Sequence, residues 1–308
     1  MVAAFRASAE ESRPDRTDRP AGSDPRSHDA SGRRLSKALL TGGAGFIGLH
    51  LARHLVARGV HVDLVDNFSR GERDRELTAL VRSGGAAVID RNLTRPAALI
   101  DVPTDYRFVV HLAAIVGVAR VVTRSYDVLK DNLAMLENAL AAARRQSALE
   151  RFVFLSTSEV YSGTFRFFTL PLPTPESTPL AVGELSEPRT SYMLSKIYGE
   201  AMCHQAGIPF TVVRPHNVYG PRMGLDHVIP EVLQRAHRAP DGGSLEVYSP
   251  CHRRTFCHVE DAVELLSRAA ESPRCVGETL NIGTQEPEVS MGELAELIAR
   301  VVGKTLQI

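Results

Sequence analysis

Thr41-Gly42-Gly43-Ala44-Gly45-Phe46-Ile47-Gly48 follows a short apolar run, Lys37–Thr41, and leads into a helical stretch near Phe46–Ala57. Gly42, Gly45 and Gly48 are spaced Gly-x-x-Gly-x-x-Gly. The first glycine permits a tight turn, the second lets a pyrophosphate approach the backbone, and the third lets helix and strand pack closely. The start of the helix, at Phe46 and Ile47, then offers free N–H groups to a diphosphate. A second apolar run, Val60–Val65, ends at Asp66-Asn67, with Asp66 18 residues beyond Gly48. A carboxylate at that point accepts hydrogen bonds from ribose hydroxyls. It also repels a 2′-phosphate, so the expected cofactor is NAD rather than NADP.

Working outward, further strands are expected at Ala86–Asp90, Phe108–Leu112, Phe152–Ser156 and Phe210–Arg214, with a long helix near Val128–Arg145. β-Branched and apolar strands separated by helices imply an α/β fold, a doubly wound parallel Rossmann sheet covered on both faces. After Pro215 the spacing loosens, with helices expected at Pro230–His237, Val259–Ala270 and Met291–Val302. This divides the chain into a dinucleotide-binding domain over 36–214, which carries the catalytic helix, and a smaller C-terminal substrate lobe over 215–308. Residues 1–35, rich in Arg, Asp, Ser and Pro, cannot bury enough apolar surface to offset their ordering entropy and are expected to form a disordered tail.

Composition narrows the function classes. The 308 residues carry 36 Lys plus Arg against 36 Asp plus Glu, so the net charge is zero. Nothing electrostatic draws such a chain to nucleic acid or to an anionic membrane. No apolar run approaches the roughly 18 residues of a membrane span, and the N-terminus lacks the apolar core of a signal peptide. A cytoplasmic protein is expected. Cys203, Cys251, Cys257 and Cys275 show no Cys-x-x-Cys spacing, so neither a metal site nor a disulfide framework is expected.

Ser191-Tyr192-Met193-Leu194-Ser195-Lys196 places Tyr-x-x-x-Lys on an expected helix, where residues four apart share one face. A phenol begins near a pKa of about 10, and a nearby ammonium favours the phenolate. Tyr192 is thus a candidate base for removing a hydroxyl proton while hydride leaves the same carbon for NAD.

Together these residues resemble the extended short-chain dehydrogenase/reductase family, the NAD-dependent nucleotide-sugar epimerases, dehydratases and decarboxylases. The resemblance spans roughly residues 37–308. It rests on TGGAGFIG at 41–48, HLAA at 111–114, STSEVY at 156–161, YMLSK at 192–196, RPHNVYGPR at 214–222, RRTFCHVED at 253–261 and LNIG at 280–283. It implies that Thr157 orients the sugar 4-hydroxyl, Tyr192 is the base, and Lys196 holds the nicotinamide ribose. It also implies that His111, Leu112, Ala113 and Ala114 line the cofactor, with Asn92 and Leu93 beside the adenine. Asn217 and Arg254 would hold a nucleotide diphosphate, and Arg suits that role by its bidentate geometry. The implied partner is a nucleotide sugar, UDP-linked. A homodimer through the helices near Val128–Arg145 and Tyr192–Gln205 is likewise implied.

Within the family, oxidation at the sugar C4 makes the C5 substituents labile, and the neighbouring groups decide which bond then breaks. Dehydratases of the dTDP-glucose type carry Thr-Asp-Glu, whereas this chain has Thr157-Ser158-Glu159. That triplet is similar to the UDP-glucuronate decarboxylases and to some UDP-N-acetylhexosamine dehydratases. Arg189, three residues before Tyr192, matches the decarboxylase pattern Pro-Arg-x-x-Tyr and suits a substrate carboxylate. Gly220-Pro221-Arg222-Met223 also looks like that group, so Ser158, Arg189, Asn217, Arg222 and Arg254 are the expected substrate-binding residues. A UDP-glucuronate decarboxylase-like activity is expected. The alternatives are a UDP-sugar 4-epimerase or dehydratase, and a non-catalytic NAD-binding sensor or scaffold.

Several positions depart from the family pattern. Ser162 replaces a usual Gly, His216 a common aromatic or hydrophobic residue, and Asn92 a frequent Asp, while the Pro- and aromatic-rich segment Phe165–Leu180 is unusual. Family members continue for some tens of residues past the helix after Asn281-Ile282-Gly283, so part of the sugar site is expected to lie beyond Ile308 or to come from a partner.

Overall fold

The structure, a computed structural model, describes residues 36–308. The expected tail over 1–35 lies outside the described residues. Apolar runs with both faces covered form the middle of the sheet. In β1 (Ser36–Thr41), Ala38, Leu39 and Leu40 have no exposed surface. A glycine turn leads into α1 (Phe46–Ala57), which is followed by β2 (Val60–Asp66), α2 (Arg75–Arg82), β3 (Ala86–Asp90) and β4 (Phe108–His111). Next come α3 (Val118–Thr123), α4 (Ser125–Arg144), β5 (Arg151–Leu155), α5 (Ser162–Phe167), α6 (Thr190–Gln205) and β6 (Phe210–Pro215). Beyond Pro215 lie β7 (Val218–Tyr219), α7 (Val228–Arg238), β8 (Arg253–Arg254), β9 (Cys257–His258), α8 (Val259–Glu271), β10 (Thr279–Ile282), β11 (Val289–Ser290) and α9 (Met291–Val301).

Seven strands form one sheet in the order β10-β6-β5-β4-β1-β2-β3, with every pairing parallel. One face packs Leu49, Leu51 and Leu55 of α1 with Val263 and Leu266 of α8. The other packs Met135, Leu136 and Leu140 of α4 with Cys203 of α6 and with Ala206 just beyond it. A third cluster joins Val232 and Ala236 of α7 to Leu294 and Ile298 of α9. The helix starts are set locally: Asp74 accepts from the Leu77 N–H at 2.9 Å to begin α2, and Ser290 with Glu293 forms a capping box on α9.

Among the elements that the sequence reading did not give are β10 and α2. β10 is a seventh strand that Thr279-Leu280-Asn281-Ile282 does not announce, because it is a short edge strand in which only Ile282 is buried. It pairs with β6 at Thr279–Val212 through Ile282–Pro215. With α8, it brings chain from beyond residue 214 into the central sheet and its helical cover. α2 is only eight residues long and has few apolar positions, of which Leu77 and Leu80 are buried.

Parallel pairing gathers the carboxyl ends of the strands at one edge, where open α/β sheets bind ligands. Gly42 follows β1, Asp66 closes β2, His111 closes β4, Thr157 follows β5, and His216 follows β6.

Candidate active site

The glycine turn fits a dinucleotide. Gly42 has φ of 71°, a left-handed conformation that favours glycine. A Cβ there would lie 2.8 Å from the Ala113 nitrogen, and one on Gly48 would lie 2.4 Å from the Gly42 oxygen. The turn therefore packs against Leu112-Ala113 on one side and against the first turn of α1 on the other. Gly45 is the N-cap of α1 with no side chain capping the helix, so the orphan N–H groups of the first turn at Phe46 and Ile47 are available to an anion.

Asp66 is buried, and its carboxylate is held rigidly: Oδ2 accepts from the Ala44 N–H at 3.1 Å and Oδ1 from the Phe68 N–H at 2.8 Å. Each oxygen keeps capacity to accept from a ribose hydroxyl. Gly71 closes over the same carboxylate, since a Cβ there would lie 3.0 Å from both oxygens. Asn67 turns its Oδ1 to the Ser69 N–H at 3.1 Å, and Asn92 accepts from the N–H and hydroxyl of Thr94. Leu93 points its side chain into the core, so only its backbone borders the loop after β3. Leu112 donates to the Thr41 carbonyl at 3.0 Å, and Ala114 stands half-buried beside it.

The expected outcome at this site is tighter binding of NAD than of NADP, and Asp66→Ala should narrow the gap by removing like-charge repulsion at short range. Calorimetric titration of both cofactors checks this; equal affinities in the unmodified protein would remove Asp66 from the role.

Tyr192 and Lys196 share one face of α6, with the ammonium 5.8 Å from the phenol ring centre. Lys196 is buried, donates to the Leu155 carbonyl at 2.7 Å, and lies 5.0 Å from the centre of the Phe154 ring. Burial pulls its pKa down to about 8, against the pull of Cys203 and Glu200. For Tyr192, burial and then the Glu159 carboxylate push the pKa upward. The Thr157 hydrogen bond and the Arg70 guanidinium act the other way. The resting phenol is therefore neutral, and added positive charge at the site favours its deprotonation.

Thr157 accepts from the Glu159 N–H at 3.2 Å, and Glu159 itself is exposed. Behind Lys196, Glu200 takes a hydrogen bond from Ser156 at 2.5 Å and two from Arg214 at 2.9 and 2.6 Å. His111, buried against Lys196 and hydrogen-bonded to Thr41 at 2.8 Å, is held neutral, its pKa lowered to about 3 by burial and then by the ammonium.

The expected substrate residues fall in different places. Ser158 lies 3.0 Å from His216 Nδ1, and Asn217 reaches the Thr255 carbonyl at 3.0 Å. Arg254 is exposed on β8 and close enough to His216 to lower its pKa, second to burial. Arg189 is exposed at the N-cap of α6. Arg222 is tied to Asp74 at 2.6 Å and to the Ala44 and Gly45 carbonyls, so it braces the glycine turn.

Three contributors were missed by sequence reading. Arg70, in the loop after β2, donates to the Val116 carbonyl at 3.1 Å and reaches the surroundings of Tyr192, Asp226 and His227. Nothing local marks it. Asn132 donates to Ser195 Oγ at 3.1 Å and accepts from the Ile115 N–H at 2.7 Å, tying α6 to the loop after β4. Its signal was legible, a polar residue on the apolar stripe Val128, Asn132, Met135, Leu136 and Ala139. Glu200, the third, follows Lys196 by one turn, and its partner Arg214 comes from another strand.

A Rossmann sheet with a glycine cradle, an acid closing β2 and a Tyr-Lys pair on α6 defines a dinucleotide-dependent enzyme. The chain belongs to the NAD dependent epimerase/dehydratase family, whose model matches residues 38–283. NAD is accordingly its cofactor. It is 35% identical over 280 residues to UDP-N-acetyl-alpha-D-glucosaminuronate decarboxylase of Bacillus cytotoxicus, covering 88% of this chain and 82% of that one. It is similar to a crystal structure of UDP-galactose 4-epimerase at 30% identity and a TM-score of 0.71, covering 88% of this chain and 85% of that one. The fold also matches Bordetella bronchiseptica WbmF in complex with NAD+, at 22% identity and a TM-score of 0.74 over 89% of this chain and 80% of that one.

Proposed function

We propose that this enzyme decarboxylates a UDP-linked hexuronate through a 4-keto intermediate. The observation that carries this reading is Glu159 beside Tyr192, with Ser158 where an acid would stand in a dehydratase. Similarity to the B. cytotoxicus decarboxylase supports it. Thr157 orients the C4 hydroxyl and Tyr192 accepts its proton, with Lys196 at hand to stabilise the phenolate. NAD, which the glycine turn, Asp66 and Lys196 would hold, would supply a reversible hydride acceptor for C4. With a ketone at C4, the bond from C5 to the carboxylate carbon breaks. Its electron pair moves into the enolate toward the C4 oxygen, carbon dioxide leaves, and C5 then takes a proton. Arg189 and Arg254 are the cationic groups offered to carboxylate and diphosphate, Asn217 adds an amide, and Arg222 acts by bracing the cofactor turn.

Released carbon dioxide on incubation with UDP-glucuronate or UDP-N-acetylglucosaminuronate is the test. Its absence, with C4 inversion of a UDP-hexose instead, would favour a 4-epimerase, a reading that the likeness to UDP-galactose 4-epimerase supports. No turnover of any nucleotide sugar would favour the sensor.

Glu159→Gln is expected to separate the two halves of the reaction. Its carboxylate serves the chemistry at C5, so oxidation at C4 survives while loss of carbon dioxide slows, and a 4-keto sugar accumulates in quenched mixtures. Normal turnover would make Glu159 structural.

A substrate lobe built from the chain beyond residue 214 other than β10 and α8, and a homodimer, also belong to this reading. Tyr126 on α4 and Tyr198 on α6 are 75% and 55% exposed, which supports a second copy packing there. No described helix is long and apolar enough to cross a membrane.

A further inference from the structure

His216 and Ser158 meet at the carboxyl edge of the sheet, just beyond β6 and β5. Their hydrogen bonding has one consistent solution. Asn217 Nδ2 lies 3.0 Å from the Thr255 carbonyl, which only accepts, so that atom is the amide NH2 and donates. The same Nδ2 lies 2.9 Å from His216 Nε2, which must therefore accept. Burial, and then the Arg254 guanidinium, keep the ring neutral at physiological pH. A neutral imidazole that accepts at Nε2 carries its proton at Nδ1. Nδ1–H thus donates to Ser158 Oγ across 3.0 Å.

The arrangement is held from several sides. Asn217 adopts a left-handed φ of 43°, a conformation in which Asn is among the better tolerated residues. Its carbonyl accepts from the Cys257 N–H at 3.1 Å. Gly283 packs beneath, where a Cβ would come within 3.3 Å of His216 Cβ. Ser158 Oγ has no other partner among the described residues. Accepting from the imidazole, Ser158 keeps its own hydrogen free to donate.

We propose that His216, as its Nδ1–H tautomer, occupies one lone pair of Ser158 and so biases its hydroxyl to donate to the carboxylate of a nucleotide-linked hexuronate. The proposal rests on the decarboxylase reading above, and His216 in it is a positioning residue. A carboxylate only accepts, so it matches a hydroxyl whose hydrogen is kept free to donate, and it gains a charge-assisted bond. A neutral hydroxymethyl group at the same place can accept too, but without the charge that strengthens the bond.

Two measurements test this. The first is long-range proton–nitrogen NMR of the NAD-loaded enzyme, with His216 assigned by its loss in His216→Gln. The expected state is Nδ1-protonated, and an Nε2-protonated ring would overturn the proposal whatever the variants do. The second is the ratio of dissociation constants for UDP-glucose and UDP-glucuronate. A hydrogen bond to a charged group sets the expected loss of preference for the hexuronate at roughly 10–100-fold in His216→Phe and in Ser158→Ala. The double variant should lose no more than either alone, because both remove the same donor. His216→Gln, whose amide can donate to Ser158, should retain most of the preference. Equal weakening of both ligands, or additive losses, would count against the proposal. If carbon dioxide is never released while the preference still depends on His216, the decarboxylase reading fails and the positioning role stands. If carbon dioxide is released and His216→Phe keeps the full preference, the positioning role fails alone.

Discussion

Tyr192→Phe is expected to lower turnover by roughly 10²–10⁴-fold, the usual contribution of a positioned acid–base group. The substitution removes one oxygen and keeps the ring, so the packing of α6 and its contact with Lys196 persist. Melting temperature and NAD content should stay close to those of the unmodified protein. The loss should fall on kcat more than on KM, because the proton transfer belongs to the transition state. Lys196→Met should differ. It deletes a buried ammonium that donates to the Leu155 carbonyl, and so should weaken both turnover and cofactor retention. Tyr192→Phe turnover close to that of the unmodified enzyme would mean that another group takes the C4 proton.

The largest stability effect is expected at Glu200. Glu200 and Arg214 form a buried pair at 2.6 Å, with side chains 7% and 5% exposed. Glu200→Ala leaves the guanidinium without a counter-charge, a change worth roughly 3–5 kcal/mol. For a chain of this size that is a fall in melting temperature of roughly 5–10 °C. Replacing both members, as in Glu200→Leu with Arg214→Met, should restore much of the loss, since an apolar pair of similar volume carries no stranded charge. Activity should not return with stability. Arg214 also donates to the Tyr161 hydroxyl at 2.6 Å, and Ser156 donates to Glu200 immediately before Thr157. The pair therefore sets the positions of β5, α6 and β6 where they deliver Thr157, Lys196 and His216. A fall below about 2 °C for Glu200→Ala, about 1 kcal/mol, would show that the charge is relieved by local opening.

The positions legible in the sequence are those where the chemistry is local. Thr41–Gly48 specifies its turn through steric requirements within a few residues, and α1 and β3 have the boundaries that the sequence indicates. Tyr192 and Lys196 share a face because helical periodicity alone puts them there. The family pattern added Thr157, Glu159 and Arg254, whose spacing in sequence carries no geometric rule. It also marked Arg222 as a substrate residue, yet the fold engages that guanidinium with Asp74 and the glycine turn.

By itself, then, the sequence determined a parallel sheet, its dinucleotide turn and the Tyr-Lys helix, because strand and helix periods and glycine sterics act over a few residues. Tertiary structure alone decided that β10 joins the sheet and that Arg70 faces Tyr192. It also paired Glu200 with Arg214 and brought His216 to Ser158. Each of these depends on groups far apart in the chain, and a hydrogen bond or an ion pair is set by distances that only packing brings to about 3 Å.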